Sequence, residues 1–184
     1  MAVYTKINKK DISYINKKFE IDKIISFKGI KQGIENTNYL LRSKNKKFIL
    51  TIFEKRVSQN EIPFFMKLMD QLNNSKINCP KPQKNKNGKY LVRIKKKSAC
   101  IVSFLEGKDK KLLSLKNCHE IGKMIARMHL STKKTNLSRK NSMGIRYLNP
   151  LLNSIKFKSK KFTNIEKFLN INFKDIRMKW TKKL

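Results

Sequence analysis

The order of two hydrophobic periods along the chain restricts its architecture more than any single residue does. Residues 24–30, 38–43 and 48–53 read as strands, and residues 60–72 then switch to helical spacing, with Pro63 in the first turn and Phe64, Phe65, Leu68, Met69 and Leu72 on one face. Residues 90–94 and 99–105 return to strand character, joined across Lys95, Lys96, Lys97 and Ser98. The expected core is a five-stranded antiparallel sheet with one helix inserted after the third strand.

Helical segments flank that sheet. Asn8 can cap a helix with Asp11 at its third position, and Ile12, Ile15 and Phe19 recur at helical spacing, so a short amphipathic helix opens the fold. Gly29 and Gly33 bracket a loop between the first two strands, and Asn87-Gly88 starts the second hairpin after the loop Cys79-Pro-Lys-Pro82. Glu106-Gly107 breaks the last strand. Residues 117–130 resume helical spacing through Cys118, Ile121, Ile125 and Met128, residues 131–149 read as polar loop, and further helices are expected near Leu151 and over residues 165–180. The fold class is α+β, with residues 1–107 as one lobe and residues 108–184 as the beginning of a helical second lobe.

The 184 residues suffice for one domain with a sizeable core. No apolar run approaches the roughly eighteen residues that a membrane span needs, and the N-terminus lacks the hydrophobic stretch of a signal peptide. Cys79, Cys100 and Cys118 are odd in number and without metal-type spacing, which reads as reduced thiols in a cytoplasmic protein. The net charge of +33, from 45 basic against 12 acidic residues, suggests a polyanion partner at first sight. Only seven of the 45 are Arg, whereas selective nucleic-acid contacts lean on Arg, and the Lys residues scatter through every segment. Solvated faces and the Lys, Asn and Ile usage of an AT-rich genome account for them better than a nucleic-acid partner does. His119 and His129 stand ten residues apart on one helix with no Cys or carboxylate cluster to complete a metal site, so neither is assigned a ligand or catalytic role.

Six ordered segments sharpen this pattern into a family. They are Gly29-Ile-Lys-Gln-Gly-Ile-Glu-Asn-Thr-Asn-Tyr-Leu-Leu41, Phe48-Ile-Leu-Thr-Ile-Phe-Glu-Lys-Arg-Val57, Ile62-Pro-Phe-Phe65, Cys79-Pro-Lys-Pro82, Ile101-Val-Ser-Phe-Leu-Glu-Gly107 and Cys118-His-Glu-Ile-Gly-Lys-Met-Ile-Ala-Arg-Met-His-Leu130. Together they resemble the bacterial homoserine kinases of the aminoglycoside phosphotransferase and choline kinase superfamily. The resemblance runs from Met1 to about Asn149 and weakens beyond it. It implies a protein-kinase-like nucleotide lobe and transfer of the γ-phosphate of ATP to the hydroxyl of L-homoserine, with Mg2+ as the metal. Other small-alcohol kinases of the same superfamily, acting on choline or an aminoglycoside, are the nearest alternative, and a Lys-rich nucleic-acid-binding protein is the alternative of a different class.

The resemblance also implies residue roles. The loop ending in Gly33, Asn36, Thr37 and Asn38 would cover the phosphates, where backbone N–H groups and short polar side chains can cradle anionic oxygens. On residues alone the same stretch also reads as an ordinary Gly- and Asn-rich hairpin turn. Thr51 stands where most kinase-like folds place a phosphate-pairing Lys or Arg, and could donate its hydroxyl, with Lys55 or Arg56 supplying charge. Glu54-Lys55-Arg56 equally reads as a solvated strand end. Ser103, Phe104, Leu105 and Glu106 would form the hinge that reads the adenine edge. The superfamily's catalytic His-x-Asp with Asn a few residues on is not found in these 184 residues, and Trp180 falls where a Trp-x-x-x-Leu-Pro-x-Gly stretch would precede it. The expectation is a chain cut before its catalytic loop, without catalytic residues or metal ligands of its own and inactive alone, whose later helices lack packing partners.

Overall fold

The computed structural model describes residues 3–54, 58–108, 110, 112–133 and 135–140. Apart from Lys140, these belong to one compact unit, Met1–Arg139. The elements are α1 (Lys9–Lys18), β1 (Ser26–Gly29), β2 (Thr37–Arg42), β3 (Lys47–Ile52), α2 (Ile62–Asn74), β4 (Leu91–Ile94), β5 (Lys97–Ser103) and α3 (Leu115–Thr132). The strands form one five-stranded sheet in the order β1-β2-β3-β5-β4, with every neighbouring pair antiparallel.

Local chemistry starts and stops these elements. The Asn8 side chain accepts from the backbone N–H groups of Lys10 and Asp11, and the Asp11 carboxylate accepts from the Asn8 N–H in return, so two orphan donors are met reciprocally at the head of α1. Ile15 and Phe19 then bury almost completely against the sheet. The β2–β3 hairpin is tied by Ser43, whose hydroxyl accepts from the Lys46 N–H at 2.8 Å.

Three expectations shift in detail. The β4–β5 turn is shorter than the sequence reading, because β5 already begins at Lys97 and leaves only Lys95 and Lys96 between the strands. Both have positive φ, 50° and 64°, the backbone that lets a two-residue turn follow the strand twist. The buried stripe of α2 is Ile62, Met66 and Leu72, while Phe64, Phe65 and Leu68 are only half-buried. The helix packs one side on the sheet and leaves Phe65 at a cleft, stacked edge-on against Phe64 at 5.5 Å. Finally, α3 starts at Leu115 behind the Ser114 cap, and Asn117 serves as the capping-box partner instead of opening the helix. Residues 131–133 end it against α2, where Gln71 donates to the Ser131 carbonyl at 3.2 Å. The α3 residues Ile121 and Ile125 are 42% and 45% exposed. The expected helices near Leu151 and over residues 165–180 lie outside the described residues.

Period-two alternation gives the sheet two unlike faces. Tyr39 and Leu41 on β2, Phe48, Leu50 and Ile52 on β3, and Ala99 and Ile101 on β5 pack into the larger core with α1. On the other face Cys100 and Val102 join Ile62 and Met66 of α2, with Ile49, Phe53, Phe65 and Met69 partly buried around them. Tyr90, just before β4, reaches across to α2 and donates its hydroxyl to Asp70 at 2.8 Å.

Candidate functional site

Strand register lays out the α2 face in rows. Lys28, Leu40, Ile49 and Val102 are neighbours across four strands, and Asn38, Thr51 and Cys100 form the next row. The Thr51 hydroxyl donates to the Asn38 side-chain oxygen at 2.8 Å, which leaves the Asn38 amide N–H groups without a partner among the described residues. Such half-buried donors beside an apolar row can hold a polar ligand against the sheet. A cleft of about 340 Å³ opens here, lined by Asn36, Thr51, Phe53, Phe65, Met69 and Cys100 among others. A second hollow of about 460 Å³ lies by the β1–β2 loop, between Lys28, Lys31, Gln32 and Leu40. Burial pushes the Cys100 thiol up to about 12, against a weaker opposing hydrogen bond involving the Thr51 backbone, so it lines the cleft as a neutral apolar group.

One end of the sheet carries the loop of residues 30–36. Gly33 sits there at φ +98°, with nothing within 4 Å of where a Cβ would be, so its glycine is required by backbone conformation and not by space. Asn36, at the end of the loop, accepts from the Glu54 N–H at 3.3 Å. Thr37 parts from its neighbours. It is fully buried on the α1 side, where its hydroxyl accepts from the N–H groups of Tyr4 and Thr5 and donates to Glu54. Asn36 and Thr51 therefore line the cleft, the register sets Asn38 beside Thr51 on the same face, and Thr37 is turned away.

At the other end, β5 runs out through Ser103. Its backbone N–H donates to the Lys81 carbonyl at 2.9 Å and its hydroxyl accepts from the Lys81 N–H at 2.8 Å. The Phe104 N–H donates to the Lys47 carbonyl at 3.1 Å. The N–H groups of Leu105 and Glu106 have no partner among the described residues, which leaves two backbone donors beyond the strand end. Ser103 and Cys100 are three residues apart, so this end lies roughly 10 Å from the Asn38–Thr51 row.

The reading of Glu54 as part of a solvated strand end does not hold, and no local signal names its partners in the cluster below. Its side chain is only 11% exposed and pairs with Lys97, while the Thr5 and Thr37 hydroxyls each donate to it at 2.7 Å. Burial alone would raise its pKa, but the Lys97 ammonium and the two hydroxyls outweigh that and hold the carboxyl below its ordinary value. A signal for its burial was present, because position 54 continues the core-facing period of Phe48, Leu50 and Ile52, and a carboxylate there must find partners. Lys55 and Arg56 lie outside the described residues. His119 and His129 are exposed on α3, and among the described residues no three His, Cys, Asp or Glu side chains gather to hold a metal ion. No described helix is long and apolar enough to cross a membrane.

Known proteins resemble this chain in sequence and in fold. The phosphotransferase enzyme family matches residues 26–154. The homoserine kinase of Parvibaculum lavamentivorans is 36% identical over 154 residues, which are 84% of this chain and 48% of that one. That of Paramagnetospirillum magneticum is 38% identical over 156 residues, again 48% of its length, so the chain spans about half the length of the curated relatives it matches. A spectinomycin phosphotransferase solved with ADP and spectinomycin superposes on 98% of this chain and 60% of its own at a TM-score of 0.62 and 16% identity. A microcompartment-associated aminopropanol kinase does so over 78% of this chain and 48% of its own, at a TM-score of 0.58 and 14% identity. With the family match running through all five strands, α2 and α3, the chain belongs to the phosphotransferase enzyme family and has its protein-kinase-like fold.

Proposed function

We propose that this chain forms the nucleotide-binding part of a homoserine kinase, in which the γ-phosphate of ATP passes to the hydroxyl of L-homoserine. In this reading residues 1–107 are the nucleotide lobe and residues 108–184 begin the helical lobe. The observation that carries it is the polar pair Asn38–Thr51 beside the apolar row Leu40, Ile49 and Val102, set between a glycine-bearing loop and a strand end with open backbone donors. Adenine would lie against the apolar row beside Ser103 and Phe104 and exchange hydrogen bonds with the open backbone groups of Leu105 and Glu106. The phosphates would extend about 10 Å to Gly33, Asn36, Asn38 and Thr51. Thr37 acts here from the opposite face, holding the loop and not touching the nucleotide. The homoserine acceptor is preferred over an aminoglycoside because the relatives named homoserine kinase are 36–38% identical, against 16% for the spectinomycin enzyme.

Among the described residues no three His, Cys, Asp or Glu side chains gather to hold a metal ion, so no step is routed through Mg2+ here. Phosphoryl transfer also needs a group that orients the acceptor hydroxyl, and these 184 residues hold no His-x-Asp with a following Asn. The chain by itself is therefore expected to bind ATP or ADP without phosphorylating homoserine. Titration of the 184-residue protein with ADP tests this, with saturable binding expected between roughly 1 μM and 1 mM. Turnover of ATP with homoserine would overturn the assignment of roles. Absence of ADP binding together with tight duplex DNA binding in physiological salt would shift the function to nucleic acid.

A further inference from the structure

Glu54 connects three segments on the sheet face away from the cleft. One carboxylate oxygen accepts from the hydroxyls of Thr5 and Thr37, each at 2.7 Å, and the other pairs with Lys97, whose ammonium also donates to the Thr5 hydroxyl at 2.7 Å. Thr37 in turn accepts from the N–H groups of Tyr4 at 2.9 Å and Thr5 at 3.1 Å. The N-terminal segment so held crosses Gly29, where a Cβ would stand 2.9 Å from the Val3 side chain, and the Tyr4 hydroxyl donates to the Ile34 carbonyl at 3.0 Å. The Glu54 backbone N–H reaches Asn36 directly.

Both threonine hydroxyls donate to Glu54 and accept further bonds, and the loop of residues 30–36 is attached to this cluster at its C-terminal end through Asn36 and Thr37 and at Ile34 through Tyr4. Residues 31–35 of the loop are all exposed and have no core of their own. We propose that Glu54 is a positioning residue, which fixes the glycine-bearing loop from behind the sheet through Thr37, Asn36 and the Thr5–Tyr4 segment. Fixing matters because backbone donors bind an anion well only when their geometry is set beforehand. The consequence for nucleotide affinity rests on the function proposed above, whereas the fixing of the loop does not.

The experiment separates the two. Amide hydrogen exchange is followed in the full 184-residue chain without nucleotide, in wild type, Glu54→Gln, Thr37→Val and Thr37→Ser. Glu54→Gln and Thr37→Val are expected to speed exchange over residues 30–37 by about ten-fold, while residues 91–103 stay within roughly two-fold of wild type. Thr37→Ser keeps the hydroxyl and restores protection. Unchanged loop exchange in both disrupting variants, or an equal rise throughout the strands, overturns the proposal by making the cluster inert or merely structural. If Glu54→Gln does not fold, the Thr37→Val and Thr37→Ser pair decides by the same criterion. ADP affinity is then measured on the same proteins, and a fall of roughly three- to ten-fold in the disrupting variants alone is expected. A wild-type chain that binds no ADP would refute the nucleotide reading and leave the loop result to stand on exchange.

Discussion

The two faces of the sheet share the same strands and differ in what they do with them. Toward α1, Leu41, Leu50, Ile52, Ala99 and Ile101 are fully buried, and the buried hydroxyls of Thr5, Thr37 and Ser43 all have hydrogen-bond partners. Toward α2, Leu40, Ile49 and Thr51 are half-buried, and a cleft of about 340 Å³ remains. A closed face holds the fold, and an incompletely covered face with unpartnered donors is free to hold a ligand. Alternation at period two is what separates them, so adjacent residues carry different duties.

The largest contrast is expected for the neighbours Leu50 and Ile49. Leu50→Ala removes a fully buried side chain and should cost about 3 kcal/mol in urea unfolding, through lost transfer energy and a cavity. Ile49→Ala should cost about 1 kcal/mol and instead weaken ADP binding. Equal stability losses would erase the distinction between the faces. Thr51→Val comes next, with ADP affinity lowered roughly three- to ten-fold and stability changed by less than about 1 kcal/mol.

A pH scan sharpens the comparison from the closed side. Because the Glu54 carboxyl is held below its ordinary 4.5 in the folded chain, its contribution to stability is complete above that value and is lost as pH falls through the lowered one. Unfolding free energy measured from pH 6 down to pH 3 should fall less steeply in Glu54→Gln than in wild type. Identical slopes would mean that the carboxylate is not held as described. The smallest effect belongs to Glu106, paired with Lys47 at 2.7 Å but 75% exposed, so Glu106→Gln should change stability by no more than about 0.5 kcal/mol.

Much of this was legible in the residues. The Asn8–Asp11 capping pair, Pro63 near the head of α2 and the alternation of Phe48, Leu50 and Ile52 each name their element through a local cause that the rest of the fold does not override. The Lys95–Lys96 turn looks longer in the sequence than it is because Lys is a poor signal for positive φ, and tertiary ties, including the 3.5 Å contact of Lys95 with Asp11, hold it there. In the sequence, Gly33, Asn36, Thr37 and Asn38 look alike as a polar run, which groups Thr37 with the loop. Strand pairing already begins at Thr37, and that single register decision sends it to one face and Asn38 to the other. The partners of Glu54 come from positions 5, 37 and 97, a distance in sequence that no local pattern reports.

The central claim is that the nucleotide sits on the α2 face, between the loop and the end of β5. Amide chemical shifts of the 184-residue chain recorded during an ADP titration test it most directly. The account predicts the largest perturbations at Gly33, Asn38, Thr51, Leu105 and Glu106, with Ile12, Ile15 and Phe19 on the α1 side unmoved. Perturbations centred on the α1 side, or ADP saturation with no change at Asn38, Thr51 and Leu105, would contradict it.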